Sequence, residues 1–179
     1  MAIPLSEIFG GTEVRLTSGY GQRKSPTKGA SSYHTGLDLA PPKGTPIQGT
    51  PIHSLASGTI EKIGQDAAHG NYIHIRHGNG YVTKYSHLDS LPSFKQGQTV
   101  ENGQHIANVG KTGITTGPHL HLTLEKDGKK INPNNILGGN KDLQQLIGST
   151  SKVEPKELLA TNLTNSTSQK TNENTETKS

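Results

Sequence analysis

Histidines and one aspartate recur in three short stretches whose chemistry suits a metal centre. In GPHLHLTLE (117–125), His119 and His121 flank one leucine. Side chains on a strand alternate faces with period two, so both imidazoles are expected on one face. In HTGLD (34–38), His34 and Asp38 lie four apart, a spacing that unites them on one face of a helix or a strand. Gly36 between them and Pro41-Pro42 after them disfavour helix and leave extended structure. YSHL (85–88) adds His87 at the end of an alternating run, with Tyr85 and Thr83 expected on its face. Imidazole and carboxylate are ordinary zinc ligands, and a catalytic zinc typically takes three protein ligands so that one position stays open. For His119 and His121 three readings stand: both bind a metal, one binds while the other acts, or both are surface residues of a sheet.

Composition narrows the choice. Cysteine is absent, which excludes disulfides, thiolate metal sites and a cysteine nucleophile. Any metal site must therefore draw on His, Asp or Glu, and nine histidines are available. The net charge of +4 and pI near 9.2 would suit an anionic partner. The basic residues are scattered, however, with no arginine-rich run and no aromatic-basic interleaving, so nucleic acid is not expected. No apolar run approaches the roughly 20 residues of a membrane span. The stretch MAIPLSEIFGGTEV lacks the basic start and apolar core of a signal peptide.

The elements that must position these residues read as strands. Hydrophobic residues make up only 28% and aromatics 4%, while 22 glycines and 10 prolines punctuate short apolar runs. That pattern predicts an all-β, turn-rich fold rather than a helical bundle. Strands are expected at 58–63, 71–77, 81–88, 98–100, 105–110 and 119–125, six or more in antiparallel order, with a short extended piece at 34–40. HGNG (77–80) places Asn-Gly between alternating apolar runs, a strong hairpin signal. Residues 1–33 read mostly as loop, with SGYGQR (18–23) ordered. The repeat of GTPI at 44–47 and 49–52 reads as a loop insertion. The chain divides near 138 into a domain at 1–137 and a polar C-terminal tail at 138–179. The tail is expected to be largely disordered, with short helices at KDLQQLI (141–147) and EPKELLA (154–160).

The other histidines carry bland expectations. His74 and Arg76 alternate with Ile73 and Ile75 and should face solvent. His77 begins a turn, His69 lies in the AAHGN turn, His53 in a loop, and His105 ahead of an apolar strand. Asp89 reads as a turn or cap residue.

Taken together, HTGLD (34–38), HGNGYVTKYSHL (77–88) and GKTGITTGPHLHLTLE (110–125) closely resemble the three signature blocks of the M23 (LytM/lysostaphin-type) zinc metallopeptidases. These enzymes cleave peptide bonds in bacterial peptidoglycan. SGYGQR (18–23), APPKGTPI (40–47) and GQTVENGQHIANVG (97–110) match supporting blocks, so the resemblance covers about 15–134 in the family's order. It implies antiparallel sheets of the M23/LytM type, sandwich- or barrel-like, with a groove. It implies that His34, Asp38 and His121 hold one Zn²⁺, that His87 and His119 form the catalytic pair, and that Arg23 lies near the substrate carbonyl. No HExxH helix supplies a glutamate, so histidine must do the base work. The implied function is a zinc metalloendopeptidase that hydrolyses peptide cross-links of peptidoglycan in the cell wall or periplasm. With no signal peptide visible, a virion-associated or phage-encoded origin is one route to that substrate. The departure from the family is TPIQGTPIHSLASG (45–58), which is longer than usual and bears on the shape of the groove. The alternative is a non-catalytic wall-binding or hydrolase-activating module of the same fold. Such modules usually lack one or more ligands, whereas all five positions are filled here. GQTVENGQHIANVG also resembles a lipoyl or biotinyl carrier strand pair, but no lysine lies between Gln98 and Gln104 to carry the group.

Overall fold

A computed structural model describes residues 5–133. Its strands are β1 (Arg15–Ser18), β2 (Gly21–Gln22), β3 (Tyr33–His34), β4 (Leu37–Ala40), β5 (Pro51–His53), β6 (Gly58–Asp66), β7 (Gly70–Arg76), β8 (Tyr81–Leu88), β9 (Thr99–Val100), β10 (His105–Asn108), β11 (Leu120–Lys126) and β12 (Lys129–Ile131). Short 3₁₀ turns at Leu5–Phe9 and Gly78–Gly80 are the helical elements among the described residues. Eight strands form one antiparallel sheet in the order β1-β4-β11-β8-β7-β6-β9, with β12 paired to β11. Two small sheets, β10-β5 and β2-β3, complete the fold. The all-β expectation holds. The expected helical turns at 141–147 and 154–160, and the tail itself, lie outside the described residues.

Strand alternation sorts the sheet into an apolar and a polar face. Leu37 and Leu39 of β4, Leu120, Leu122 and Leu124 of β11, Tyr85 of β8, and Ile73 and Ile75 of β7 are at most 1% exposed. They pack with Ile8, Ile52, Leu55 and Val109 into one core. Each such aliphatic side chain stabilises the fold by roughly 1.5–3 kcal/mol. The opposite face carries Asp38, His121, Ser86 and Lys84, brought abreast by the registers His121↔Asp38, His121↔Ser86 and Thr123↔Lys84.

Two expectations about the framework need correction. Residues 15–18 are a strand, not loop. They pair with β4 along Arg15↔Ala40 and Leu16↔Leu39, and Leu16 stays 52% exposed because β1 is an edge. An edge strand has no partner on its outer side, so its sequence lacks the alternation that marks its neighbours. The second GTPI copy is not a loop insertion either. Pro51–His53 forms β5 against β10, and Ile52 is fully buried, whereas Ile47 of the first copy packs only partly. Two identical tetrapeptides thus take different environments because only one meets a pairing partner.

His77 begins the Gly78–Gly80 turn as expected, but it is not a surface residue. It is buried, its Nδ1–H donating to the Ser57 carbonyl at 2.8 Å, while Thr83 Oγ1 lies 2.8 Å from Nε2. Burial lowers its pKa to about 4, against the opposing pull of the Ser57 hydrogen bond. Between about 4 and the 6.5 of the free side chain, the unfolded chain binds the extra proton and the folded chain does not. This stability is therefore fully present above pH 6.5 and is lost as pH falls towards 4, by up to about 3 kcal/mol at roughly 1.4 kcal/mol per unit. His77→Gln should flatten the fall in urea midpoint between pH 7.5 and 4.5, both proteins being measured with chelator present. An equal fall in the two proteins would refute the assignment.

Candidate metal centre

His34 and Asp38 do not share one strand. His34 ends β3 and Asp38 lies in β4, with Thr35-Gly36 breaking the run between them. The turn exists because position 36 has no side chain. A Cβ there would stand 2.5 Å from the Leu122 carbonyl oxygen and 2.9 Å from Cε1 of the His121 ring. The missing Cβ lets β4 pass beneath His121, so HTGLD converges through close packing rather than strand periodicity. Gly36→Ala should push the ring aside and lower metal affinity by about tenfold or more, on the scale of losing an orienting partner. Competition with a chromophoric chelator measures this, and unchanged affinity would show that the ring has room to yield.

The ligating atoms then meet. His34 Nε2 is 3.0 Å from His121 Nδ1 and 3.1 Å from Asp38 Oδ1, and His121 Nδ1 is 2.9 Å from that same oxygen. These three residues are the metal-competent cluster found among the described residues. The triangle is small enough for one ion to lie within the roughly 2.0–2.2 Å that zinc keeps from nitrogen and oxygen. The chemistry of the donors fits as well. His34 Nδ1–H donates to the Gly19 carbonyl at 2.7 Å, which leaves Nε2 as a bare lone pair. Thr123 Oγ1, 3.1 Å from His121 Nε2, can accept that nitrogen's proton and free Nδ1. Two bare nitrogens and a carboxylate oxygen in contact repel one another unless a cation or proton sits among them.

Arg23 completes the carboxylate's environment. Its Nη1 donates to Asp38 Oδ2 at 3.1 Å and to Ser18 Oγ at 2.8 Å, so Oδ1 is left facing the histidines. Burial works against the charge on Asp38. The imidazoles of His119, His121 and His34 beside it outweigh this and hold the carboxyl far below the usual range. The guanidinium, expected near a substrate carbonyl, is engaged with a candidate ligand.

The remaining two imidazoles stand beside the triangle. His119 precedes β11, with its Nδ1–H donating to the Gly117 carbonyl at 2.9 Å and its Nε2 3.4 Å from Asp38 Oδ1. Burial lowers its pKa, but the Asp38 hydrogen bond and charge prevail and raise it. His87 lies 4.9 Å from His119 and 5.8 Å from His121, ring centre to ring centre. Burial pushes its pKa down to about 4. Burial likewise lowers that of His121, despite Asp38.

His87 does not share a face with Tyr85, contrary to expectation. The pairing runs Asn71↔Leu88 and then Ile73↔Tyr85, so β8 carries one extra residue in a bulge. His87 itself has φ +63°. A left-handed residue inside a bulge re-aims its side chain. Tyr85 stays in the core, its hydroxyl accepting from the Leu55 N–H at 3.1 Å, while His87 joins the polar face.

Thr112 holds this arrangement, and nothing in its sequence context announced it. Its carbonyl accepts the His87 Nδ1–H at 2.7 Å, and its hydroxyl donates to the Leu88 carbonyl at 2.7 Å and accepts from the Asn71 N–H at 3.0 Å. Gly70 allows this approach, since a Cβ there would lie 2.3 Å from Thr112. Above the cluster opens a groove of about 610 Å³, lined in part by Tyr33, Ile47, His69, Ile114 and Thr116. His69, expected merely in a turn, stands at its edge with Nδ1 3.0 Å from Asp66 Oδ2.

The family model of peptidase family M23 matches residues 32–133. A DD-carboxypeptidase/endopeptidase, Mpg, of Neisseria meningitidis is 39% identical over 133 residues, which are 74% of this chain and 29% of that protein. The peptidoglycan DD-endopeptidase ShyC of Vibrio cholerae is 38% identical over 123 residues, 68% of this chain and 27% of that protein. The chain thus spans under a third of either curated relative. Among solved structures, a mutant catalytic domain of the prophage-encoded M23 protein EnpA from Enterococcus faecalis aligns with a TM-score of 0.58 at 30% identity. That alignment covers 72% of this chain and 95% of that one.

Proposed function

The chain belongs to peptidase family M23, and on that footing we propose that it is a zinc metalloendopeptidase hydrolysing peptide cross-links of bacterial peptidoglycan. One observation carries this reading. Each of the four imidazoles has its outer nitrogen beside an oxygen, that of Gly19, Thr123, Thr112 or Gly117; the other nitrogen of His34, His119 and His121 then lies within 3.4 Å of Asp38 Oδ1, and the His87 ring stands 4.9 Å from that of His119. Partners of this kind select the tautomer and orientation that metal ligation or proton transfer needs.

His34, Asp38 and His121 would hold the zinc, one ion per domain. Zinc held there supplies Lewis acidity towards a scissile carbonyl and acidifies water. His119 and His87 turn their Nε2 atoms inward, away from the Gly117 and Thr112 carbonyls, and would handle the proton that water must lose and the leaving amine must gain. Arg23 acts through Asp38, restraining one carboxylate oxygen so that the other meets the metal. The substrate places the action outside the cytoplasm, in the wall. The curated relatives are named for DD-bonds, which favours a D,D-cross-link over a glycyl bridge.

Purified sacculi incubated with the zinc-loaded chain and then digested with a muramidase should release muropeptides whose cross-links have been opened to a new amine and a new carboxylate. Chelator should stop this opening and added zinc restore it. Intact cross-links after incubation with loaded protein, read by mass spectrometry, would overturn the proposal.

A further inference from the structure

On the Thr123 side of His121 the polar face of the sheet dips into a second, smaller recess of about 120 Å³. Ser86 and Thr123, both buried, lie in its lining, and Thr123 is the residue that reaches His121 Nε2. His69 lines both this recess and the main groove, so the two adjoin at that residue. Across it runs one register row, Lys62↔His74↔Lys84↔Thr123, and Lys130 joins from β12.

In this row two lysines flank one imidazole from the strands on either side of it. Their positive charge is only partly offset. Lys84 is paired with Glu125 on the neighbouring strand. Asp66, the carboxylate in the lining, is occupied by the Ala68 and His69 N–H groups and the His69 ring. Lys62 has the Tyr72 ring 5.6 Å away, and among the described residues neither it nor Lys130 forms a salt bridge. Burial first, and then the charges of Lys84 and Lys62, push His74 down to about 4, so at neutral pH it is an uncharged group between two cations. His74 lies on the polar face, opposite Ile73 and Ile75 as expected, and is half-buried there, stacked on Tyr72 at 4.8 Å.

We propose that this recess is a carboxylate-binding subsite, in which Lys62 and Lys130 hold a free carboxylate of the substrate peptide beside the metal centre. The floor supplies hydroxyls at Ser86 and Thr123 and an imidazole at His74. The subsite selects peptides that carry a free acid over those whose acid is amidated. It rests on the reading of the main groove as a peptidoglycan peptidase site, since that reading supplies an acidic peptide as ligand.

The test uses the full chain and a cross-link analogue with a reduced, uncleavable amide bond, prepared as the free acid and as the fully amidated twin. Wild type should bind the free acid about tenfold more tightly, the scale of a charge-assisted contact. Lys62→Glu combined with Lys130→Glu should close or reverse that gap, while two copies of the same charge change placed elsewhere, Lys95→Glu with Lys43→Glu, should keep it. Equal affinities in wild type, or a gap that survives in the double variant, would overturn the subsite. Hydrolysis of sacculi is scored separately. Cleavage without an acid preference removes the subsite alone, and an acid preference without cleavage removes the peptidase reading while the subsite stands.

Discussion

Asp38→Ala should abolish metal binding and hydrolysis together. Asp38 contributes the one anionic ligand of the candidate triad, and its Oδ1 lies within 3.4 Å of nitrogen atoms on His34, His119 and His121. Removing it leaves imidazoles facing one another and strands Arg23, whose Nη1 loses a partner at 3.1 Å. Loss of a mere orienting partner costs about 10–100-fold in affinity or activity, so loss of a ligand should exceed about 100-fold in both. Asp38→Asn separates charge from shape, since it keeps the volume but removes the negative charge. Metal content by atomic emission and turnover on a cross-linked peptide should fall in parallel for both variants. Full metal occupancy in either would remove Asp38 from the ligand set.

His119→Ala should do the opposite, with turnover lost and metal retained. His119 stands outside the triangle of ligating atoms, and its hydrogen bond to the Gly117 carbonyl turns Nε2 towards Asp38 Oδ1, 3.4 Å away. Loss of a positioned acid–base group costs typically about 10²–10⁴-fold in rate. Metal content should stay near one per chain, and the far-ultraviolet spectrum should not change. Full turnover by this variant would sink its assignment as a proton-handling residue, and co-loss of metal would make it a ligand instead. The pair His119/His121, two residues apart, would thus divide into one working group and one ligand.

How much of this was legible in sequence varies with the range of the interaction. The strands at 71–77 and 81–88 were readable because alternation is local and both faces of the sheet mark their residues. β1 was not, because an edge strand needs a partner, β4, that is set by distant packing. His77 read as a turn residue because it precedes Gly78-Asn79-Gly80, whereas its burial depends on Ser57, which is 20 positions away.

The candidate centre shows the same boundary. The identity and order of its five groups, His34, Asp38, His87, His119 and His121, were present in the chain as motifs, and so was the absence of any thiolate. Spacing within a motif is a local property, and ligand chemistry belongs to the residue type. The meeting of the groups belongs to the tertiary structure. A bulge and a left-handed φ at His87 turn it off the core face, a missing Cβ at Gly36 admits the His121 ring, and the Thr112 carbonyl accepts a hydrogen bond from His87 Nδ1–H across 25 positions. The row of Lys62, His74 and Lys84 likewise exists only once three strands are in register. Amino-acid types and short-range periodicity are written along the chain, but directions in space are set where non-neighbouring strands pair, and these directions decide which groups work together.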